Sequence, residues 1–471
     1  MKNIDVSNFK EKIEPRITKA MTENDLPGMA ISLVHKDRII YSRGFGSRNL
    51  KQFHPFTPDT LNGFASCTKS FTALGILKLQ KDGKLNVNDP VSNFVPLKLG
   101  FKDQPITIHH LLTHTSGIPS LGNYMLVVRQ NFPIDLGVPS IPFGSWDDFY
   151  THFNRAQKEV FCKPGERFFY FNGGYTMLGH IIEKVSGLKY EDFIRKHILD
   201  PLNMKRSNFV ALDIAKEHNV SIPYVKLPDK DNKPKLNPAD FPFSPFLFAA
   251  GGLVSSCNEM ANYVIMSMNE GRFRDTQIFG TDLISEMQRI HYSGKDAIVD
   301  VEVGKLGYGY GWMIYEDFFD DTLVLHGGGI TGGYSLIGFL KESKIGFTAI
   351  GNSEGFPHNE IYAALTLLLG KDPDMDLPLI VRNNHKEKLC GSYATYGNIN
   401  KSTIVKKQGV LFLESKTPPS SVPLFPKYDN LEPLEYYIIS DLGNKVPVQF
   451  RFDEDNKIHF IVERNSYHKV D

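Results

Sequence analysis

A serine hydroxyl is a weak nucleophile at neutral pH and needs a base held beside it. Ser66-Cys67-Thr68-Lys69 supplies such a pair, because residues three apart on a helix share a face and Lys69 can set its amine beside the Ser66 hydroxyl. Burial of that amine, with a second cation nearby, would bring its pKa down toward neutrality. The unpaired amides of the first helical turn favour negative charge developing on a substrate. Two more clusters suit the same chemistry. Tyr170-Phe171-Asn172 stands immediately before a helical pattern, with a phenol to relay a proton and an amide to meet a substrate amide or Lys69. His326-Gly327-Gly328-Gly329 falls on a β-prone run whose glycines leave the backbone open. Its edge can hydrogen-bond an extended substrate, with the Gly329 N–H aimed at the carbonyl and His326 as a cationic or donor group. Each cluster also has a plain alternative: an N-cap serine with a solvent-facing lysine, a core tyrosine, and a tight glycine turn.

A second serine competes. Gly351-Asn352-Ser353-Glu354-Gly355 follows a strand and precedes a helix, the context of a nucleophile elbow. Phe356-Pro357 delays that helix, however, and three of the later histidines (His385, His459 and His468) lie in the region expected to be linker and β-structure. Ser353 reads as an ordinary turn residue.

The elements that must position Ser66, Tyr170 and His326 are legible in outline. Phe9, Ile13, Ile17 and Met21 recur at helical spacing over residues 7–22. A hairpin follows, turning at Lys36-Asp37. Phe71, Leu74 and Leu77 mark a helix that starts near Ser66 and closes at Asp82-Gly83. Residues 174–187 form a helix stopped by Gly187, 121–148 a long irregular insertion, and 218–245 a surface loop. Four short runs between 307 and 350 predict an antiparallel meander, and 358–370 a helix. Beyond a linker rich in Asp and Pro, from Leu389 onward, six runs read as strands: 391–397, 402–408, 410–415, 435–440, 446–453 and 457–463.

Composition narrows the function. Lys plus Arg equals Asp plus Glu at 53 each, which argues against a broad nucleic-acid footprint. The longest nearly apolar run, 245–254, is too short to span a bilayer, and no secretory signal is visible. Cys67, Cys162, Cys257 and Cys390 are widely spaced with no C-x-x-C pair, so buried free thiols and a cytoplasmic setting are expected. His109, His110 and His114 cluster without an H-E-x-x-H motif, and no metal site is expected.

Taken together and in this order, the three motifs resemble those of the serine beta-lactamase and penicillin-recognising enzyme superfamily. The likeness is to its class C-like branch, the peptidase family S12 with its D-stereospecific peptidases and family VIII-type carboxylesterases. ITIHHLLTHTSGIPS, FCKPGERFFYFNGGYTMLGHIIEKVSG and AAGGLVSSCNEMANYV extend it over about residues 15–365. The resemblance implies catalytic roles for Ser66, Lys69, Tyr170 and His326, oxyanion amides at Ser66 and Gly329, and substrate contacts at Asn172, Gly327 and Gly328. Gly327 stands where the family commonly has Thr or Ser, and His326 where true class C lactamases have Lys. Carboxylate recognition is weakened, and an efficient beta-lactamase is not expected. Phe171 between Tyr170 and Asn172 should make the adjacent wall more apolar.

The resemblance implies an α+β catalytic domain over residues 1–370, with an antiparallel sheet flanked by helices plus an all-helical region. A linker over 371–387 and a small lipocalin-like β-barrel over 388–471 should follow. Similar two-domain members use the extra domain for assembly and to narrow access to the site, so a homo-oligomer is anticipated. The expected reaction is acyl transfer to water without a cofactor or metal, on small peptides or amides, D-amino-acid-containing ones foremost. Short-chain esters are the alternative substrate, and a catalytically inactive binding homologue a lower one. No nucleic acid and no membrane partner are expected.

Overall fold

The computed structural model describes residues 6–122, 143–294, 304–416 and 418–470. Most of the 121–148 insertion, including the stretch around Phe132, lies outside them.

The chain divides into two compact units, Met1–His358 and Asn359–Asp471. The first is built on an eight-stranded antiparallel sheet. Its N-terminal strands are β1 (Gly28–His35), β2 (Arg38–Asn49) and β3 (His54–Pro55). The later ones are β4 (Lys305–Tyr308), β5 (Met313–Glu316), β6 (Leu323–Ile330), β7 (Gly333–Leu340) and β8 (Ile345–Gly351). Their order is β4-β5-β6-β7-β8-β1-β2-β3, so the first hairpin adds to the edge of the late meander. β1 pairs with β8 from Met29–Gly351 to His35–Ile345. Both strands are largely apolar and buried along almost their whole length, as a central strand covered on both faces requires.

Helix α1 (Val6–Glu23) buries Phe9, Ile13, Ile17 and Met21, the stripe its spacing predicts. Helix α2 (Thr68–Lys81) is buried on every side from Thr68 to Leu77 rather than on one stripe. It packs against α3 (Asn172–Ser186) and α4 (Pro245–Gly251), while α5 (Cys257–Met268) lies on the sheet. α3 ends at Gly187, whose left-handed φ of 75° makes the stop that glycine permits. The stretch 218–245 is more ordered than the expected loop, since Tyr224–Pro228 and Pro234–Pro238 pair as a hairpin. Its prolines occupy strand ends, where a missing N–H costs little.

In the second unit, residues expected as linker are largely helical: Pro373–Asp376 and Pro378–Leu389 form two helices. Both prolines sit at helix starts, where proline is well tolerated, and Asp372 caps the first. Eight strands then close into an antiparallel barrel: β9 (Gly391–Ala394), β10 (Lys401–Lys407), β11 (Val410–Lys416), β12 (Pro419–Pro426), β13 (Glu435–Ile439), β14 (Lys445–Phe452), β15 (Ile458–Val462) and β16 (Asn465–Lys469). Tyr393, Ile404, Leu411, Leu424, Tyr436, Val448, Phe450 and Phe460 fill its core. Two strands escaped the sequence reading. β12 carries Pro419, Pro423 and Pro426, which ordinarily argue against a strand, and β16 is almost wholly polar. Closure recruits both because an open edge would leave a row of unpaired backbone groups.

Candidate active site

Ser66 sits in a 3-10 turn, Ala65–Cys67, that runs directly into α2. From Leu61 to Leu77 every residue is buried except Ser66, which is half-buried. Ala65 just before it takes a left-handed φ of 46°, strain of the kind that accumulates at functional turns. One helical turn on, Lys69 is 0% exposed and its Nζ lies 3.0 Å from Ser66 Oγ and 2.7 Å from the Ala250 carbonyl of α4. The faces of Tyr170 and Tyr175 stand 4.8 and 5.5 Å from the same nitrogen. Burial holds the Lys69 pKa well below its ordinary range. In the neutral form one amine hydrogen still reaches Ala250, and the lone pair can accept the Ser66 proton across the same 3.0 Å.

The third motif comes up from the sheet. β5 pairs with β6 only from Leu323 to Leu325, so beyond Leu325 that side of β6 has no strand partner among the described residues. Along this free edge run His326, Gly327, Gly328 and Gly329, of which Gly329 is exposed. Gly328 is seated against the Ser66 turn: a Cβ there would lie 2.3 Å from the Phe64 carbonyl oxygen and 3.1 Å from Ala65 Cβ. Cys67 Sγ donates to the His326 carbonyl at 3.1 Å, and Ser335 Oγ of β7 donates to Phe64 O at 2.8 Å. These contacts weld the turn to β6 and β7.

His326 is 1% exposed, and its Nδ1 donates to the Gly327 carbonyl at 2.6 Å. That fixes the neutral tautomer, leaving Nε2 to accept from Tyr308 Oη at 3.3 Å. Burial and the neighbouring Lys69 charge push the ring's pKa down to about 3, outweighing the bond to Gly327. His326, expected as a switchable cationic or donor group, is therefore held as a neutral ring near pH 7.

Asn172 opens α3 beside Tyr170, and its buried Oδ1 accepts from no protein donor among the described residues. Phe171 does not form an apolar wall as expected. It is buried against Phe153, because Asn172 starts the helix and directs the preceding ring inward. Ser353 is also buried, its hydroxyl donating to the Tyr224 carbonyl at 3.0 Å.

Sequence reasoning did not place three neighbours of the site, His114 (considered only with the histidine cluster), Tyr175 and Tyr308, all buried around Tyr170 and His326. Their signals were the HTSG, GGYTM and GYGYGW runs, whose aromatic and glycine content points equally to a core. Among the described residues no group of three or more His, Cys, Asp or Glu is placed to hold a metal. His109 Nδ1 bonds Tyr310 Oη at 2.8 Å instead. All four cysteines are free, though only Cys67 and Cys257 are fully buried. No helix among the described residues is long and apolar enough to cross a membrane.

Comparison with known proteins adds relatives to this geometry. Residues 13–370 match the family model described as Beta-lactamase, and residues 373–468 that described as Pab87 octamerisation domain. The structure of the octameric penicillin-binding protein homologue from Pyrococcus abyssi is similar over 98% of this chain and 99% of that one, with 37% identity and a TM-score of 0.87. Protein flp of Staphylococcus aureus strain MW2 is 27% identical over 358 residues, 74% of this chain. Penicillin-binding protein 4* of Bacillus subtilis strain 168 is 26% identical over 306 residues, 62% of this chain. The matches span 64% and 61% of the lengths of those two curated relatives.

Proposed function

The chain belongs to the beta-lactamase family, and on that premise we propose that it is a serine hydrolase that cleaves small peptides or amides, D-amino-acid-containing ones foremost, through an acyl-enzyme on Ser66. The observation that carries this reading is the buried Lys69 amine, 3.0 Å from Ser66 Oγ and with its pKa held well down.

In the proposed reaction neutral Lys69 takes the Ser66 proton as Oγ attacks the carbonyl. The amides of Ser66 and Gly329 receive the oxyanion, and Gly327 and Gly328 leave the β6 edge open to an extended substrate. Asn172 meets a substrate amide through its unbonded Oδ1. Tyr170, over the Lys69 amine, passes a proton to the leaving group. His326 is assigned here as a neutral member of the catalytic set, held by Gly327 and Tyr308. Deacylation reverses the sequence with water as nucleophile.

The domain limits proposed are 1–370, 371–387 and 388–471. The first matched segment, ending at 370, supports the first limit; the second begins at 373 and takes in most of the 371–387 linker, and compactness alone cuts at 358. The barrel is assigned an assembly role, supported by its octamerisation-domain match and the octameric relative, and a lipocalin-like architecture, supported by its eight-stranded closure. Four unpaired cysteines support a cytoplasmic setting.

The test is a fluorophosphonate probe with mapping of the adduct, followed by turnover of short esters and of L- and D-amino-acid amides. Labelling at Ser66, lost with all turnover in Ser66→Ala, is the expected result. Label elsewhere, or turnover surviving that substitution, overturns the proposal. Ester turnover without amide turnover selects the carboxylesterase.

A further inference from the structure

Resting on the acyl-enzyme reading above, we propose that His114 is the positioning residue of Tyr170, clamping the phenol where it can serve the leaving group. Two hydrogen bonds bracket Tyr170. The Phe169 N–H donates to the His114 carbonyl at 2.8 Å, and the Phe171 N–H donates to His114 Nδ1 at 3.0 Å. Both chain neighbours of Tyr170 are thus tied to one residue, once through its main chain and once through its ring. The same ring lies against the phenol, with centroids 4.3 Å apart and planes tilted by 36°. Tyr175, Tyr308 and Phe168 close around it at 5.1, 5.2 and 5.6 Å.

The residue type follows from this double duty. A flat face must carry an in-plane acceptor, which phenylalanine lacks, while asparagine has the acceptor without the face. Because Nδ1 accepts, the neutral ring carries its proton on Nε2, which is buried without a polar partner among the described residues. Burial disfavours a second proton, and a proton on Lys69 or His326 would disfavour it further. His114 also holds a left-handed φ of 60°, a conformation that persists in a non-glycine residue when its surroundings over-determine it. His114 acts through Tyr170 and has no assigned contact with the reacting atoms.

The experiment exploits the leaving group. A p-nitrophenolate departs without a proton, whereas an anilide needs one. Acylation is measured in single turnovers per fluorophosphonate-titrated site, with a p-nitrophenyl ester and a p-nitroanilide of the same D-amino acid. In His114→Phe, which keeps the face and loses the acceptor, anilide acylation should fall about 30-fold, below the full contribution of a general acid. Ester acylation should fall less than about 3-fold, with KM for both substrates within about 3-fold. His114→Asn, which keeps the acceptor and tolerates the left-handed backbone, should recover about 5-fold of the anilide loss. Tyr170→Phe should reproduce the selective loss, and adding His114→Asn to it should change little further. Equal losses on both substrates, no loss per titrated site, or full additivity with Tyr170→Phe would overturn the positioning role. Should His114→Phe fail to fold, His114→Asn and the double variant decide the matter. Turnover surviving in Ser66→Ala would instead overturn the hydrolase reading beneath it.

Discussion

Replacing Gly328 by alanine adds one methyl group where β6 meets the turn that carries Ser66. The new Cβ would lie 2.3 Å from Phe64 O and 2.4 Å from Ser335 Oγ. The serine can rotate away, at the cost of its bond to Phe64 O. The carbonyl is main chain and cannot, so turn and strand must separate by about 1 Å to restore contact distance. Ser66 and the Gly329 amide then lose register, and a displacement of that size costs on the order of 100-fold in rate, about 2.7 kcal/mol. Overpacking should destabilise the fold by a further ~1–3 kcal/mol. Gly327→Ala is the internal control, since its Cβ would meet nothing closer than Leu336 Cδ1 at 3.6 Å. Neither glycine has a left-handed φ, so the contrast is purely steric. The assay is the second-order rate of fluorophosphonate labelling at Ser66, with thermal melts in parallel. Near-normal labelling in Gly328→Ala, or an equal loss in Gly327→Ala, would show that the seating of Gly328 does not hold the site in register.

Three further outcomes are expected. Lys69→Met should slow labelling at least about 100-fold without lowering the melting temperature, because a costly buried amine is removed along with the base; in the unaltered protein labelling should rise with pH through an inflection well below 10.5, the ordinary lysine value, and a pH-independent rate would contradict Lys69 as base. His326 is held near 3 when folded against an ordinary 6.5, so the unfolded chain binds the extra proton first and stability falls as pH drops below about 6.5. At pH 5 this one ring should cost roughly 2 kcal/mol, and His326→Gln should flatten the dependence of unfolding free energy on pH; an unchanged slope would count against a buried neutral ring. In the barrel unit Tyr396, Ile399 and Leu442 are 91%, 78% and 86% exposed, so replacing Ile399 and Leu442 with serine should lower the assembly mass by light scattering, whereas an unchanged mass would place the assembly surface elsewhere.

Much of the molecule was legible because its information is local. The α1 stripe, the turn at Lys36-Asp37, the stop at Gly187 and the meander between 305 and 351 each rest on spacing or turn chemistry within a few residues. Features that resisted reading depend on remote partners. The prolines of β12 argue against a strand until β11 and β13 flank it, and the 371–387 segment resembles a linker until Pro373 and Pro378 are seen to open helices. Phe171 was legible as apolar, but its inward direction was set by where α3 begins.

The same division runs through the site. By itself the sequence determined that Ser66 and Lys69 share a helical face, that Tyr170 and Asn172 flank a helix start, and that His326 precedes three glycines, because covalent spacing sets each relation. Only the tertiary structure decided what those groups are chemically. Enclosure by Tyr170, Tyr175 and the Ala250 carbonyl makes Lys69 a buried amine of lowered pKa rather than a surface cation. Tyr308 and the Gly327 carbonyl make His326 a neutral ring, and Phe64 explains why Gly328 has no side chain. Desolvation, tautomer and steric room depend on atoms brought together from distant parts of the chain, and they come into being only when it folds.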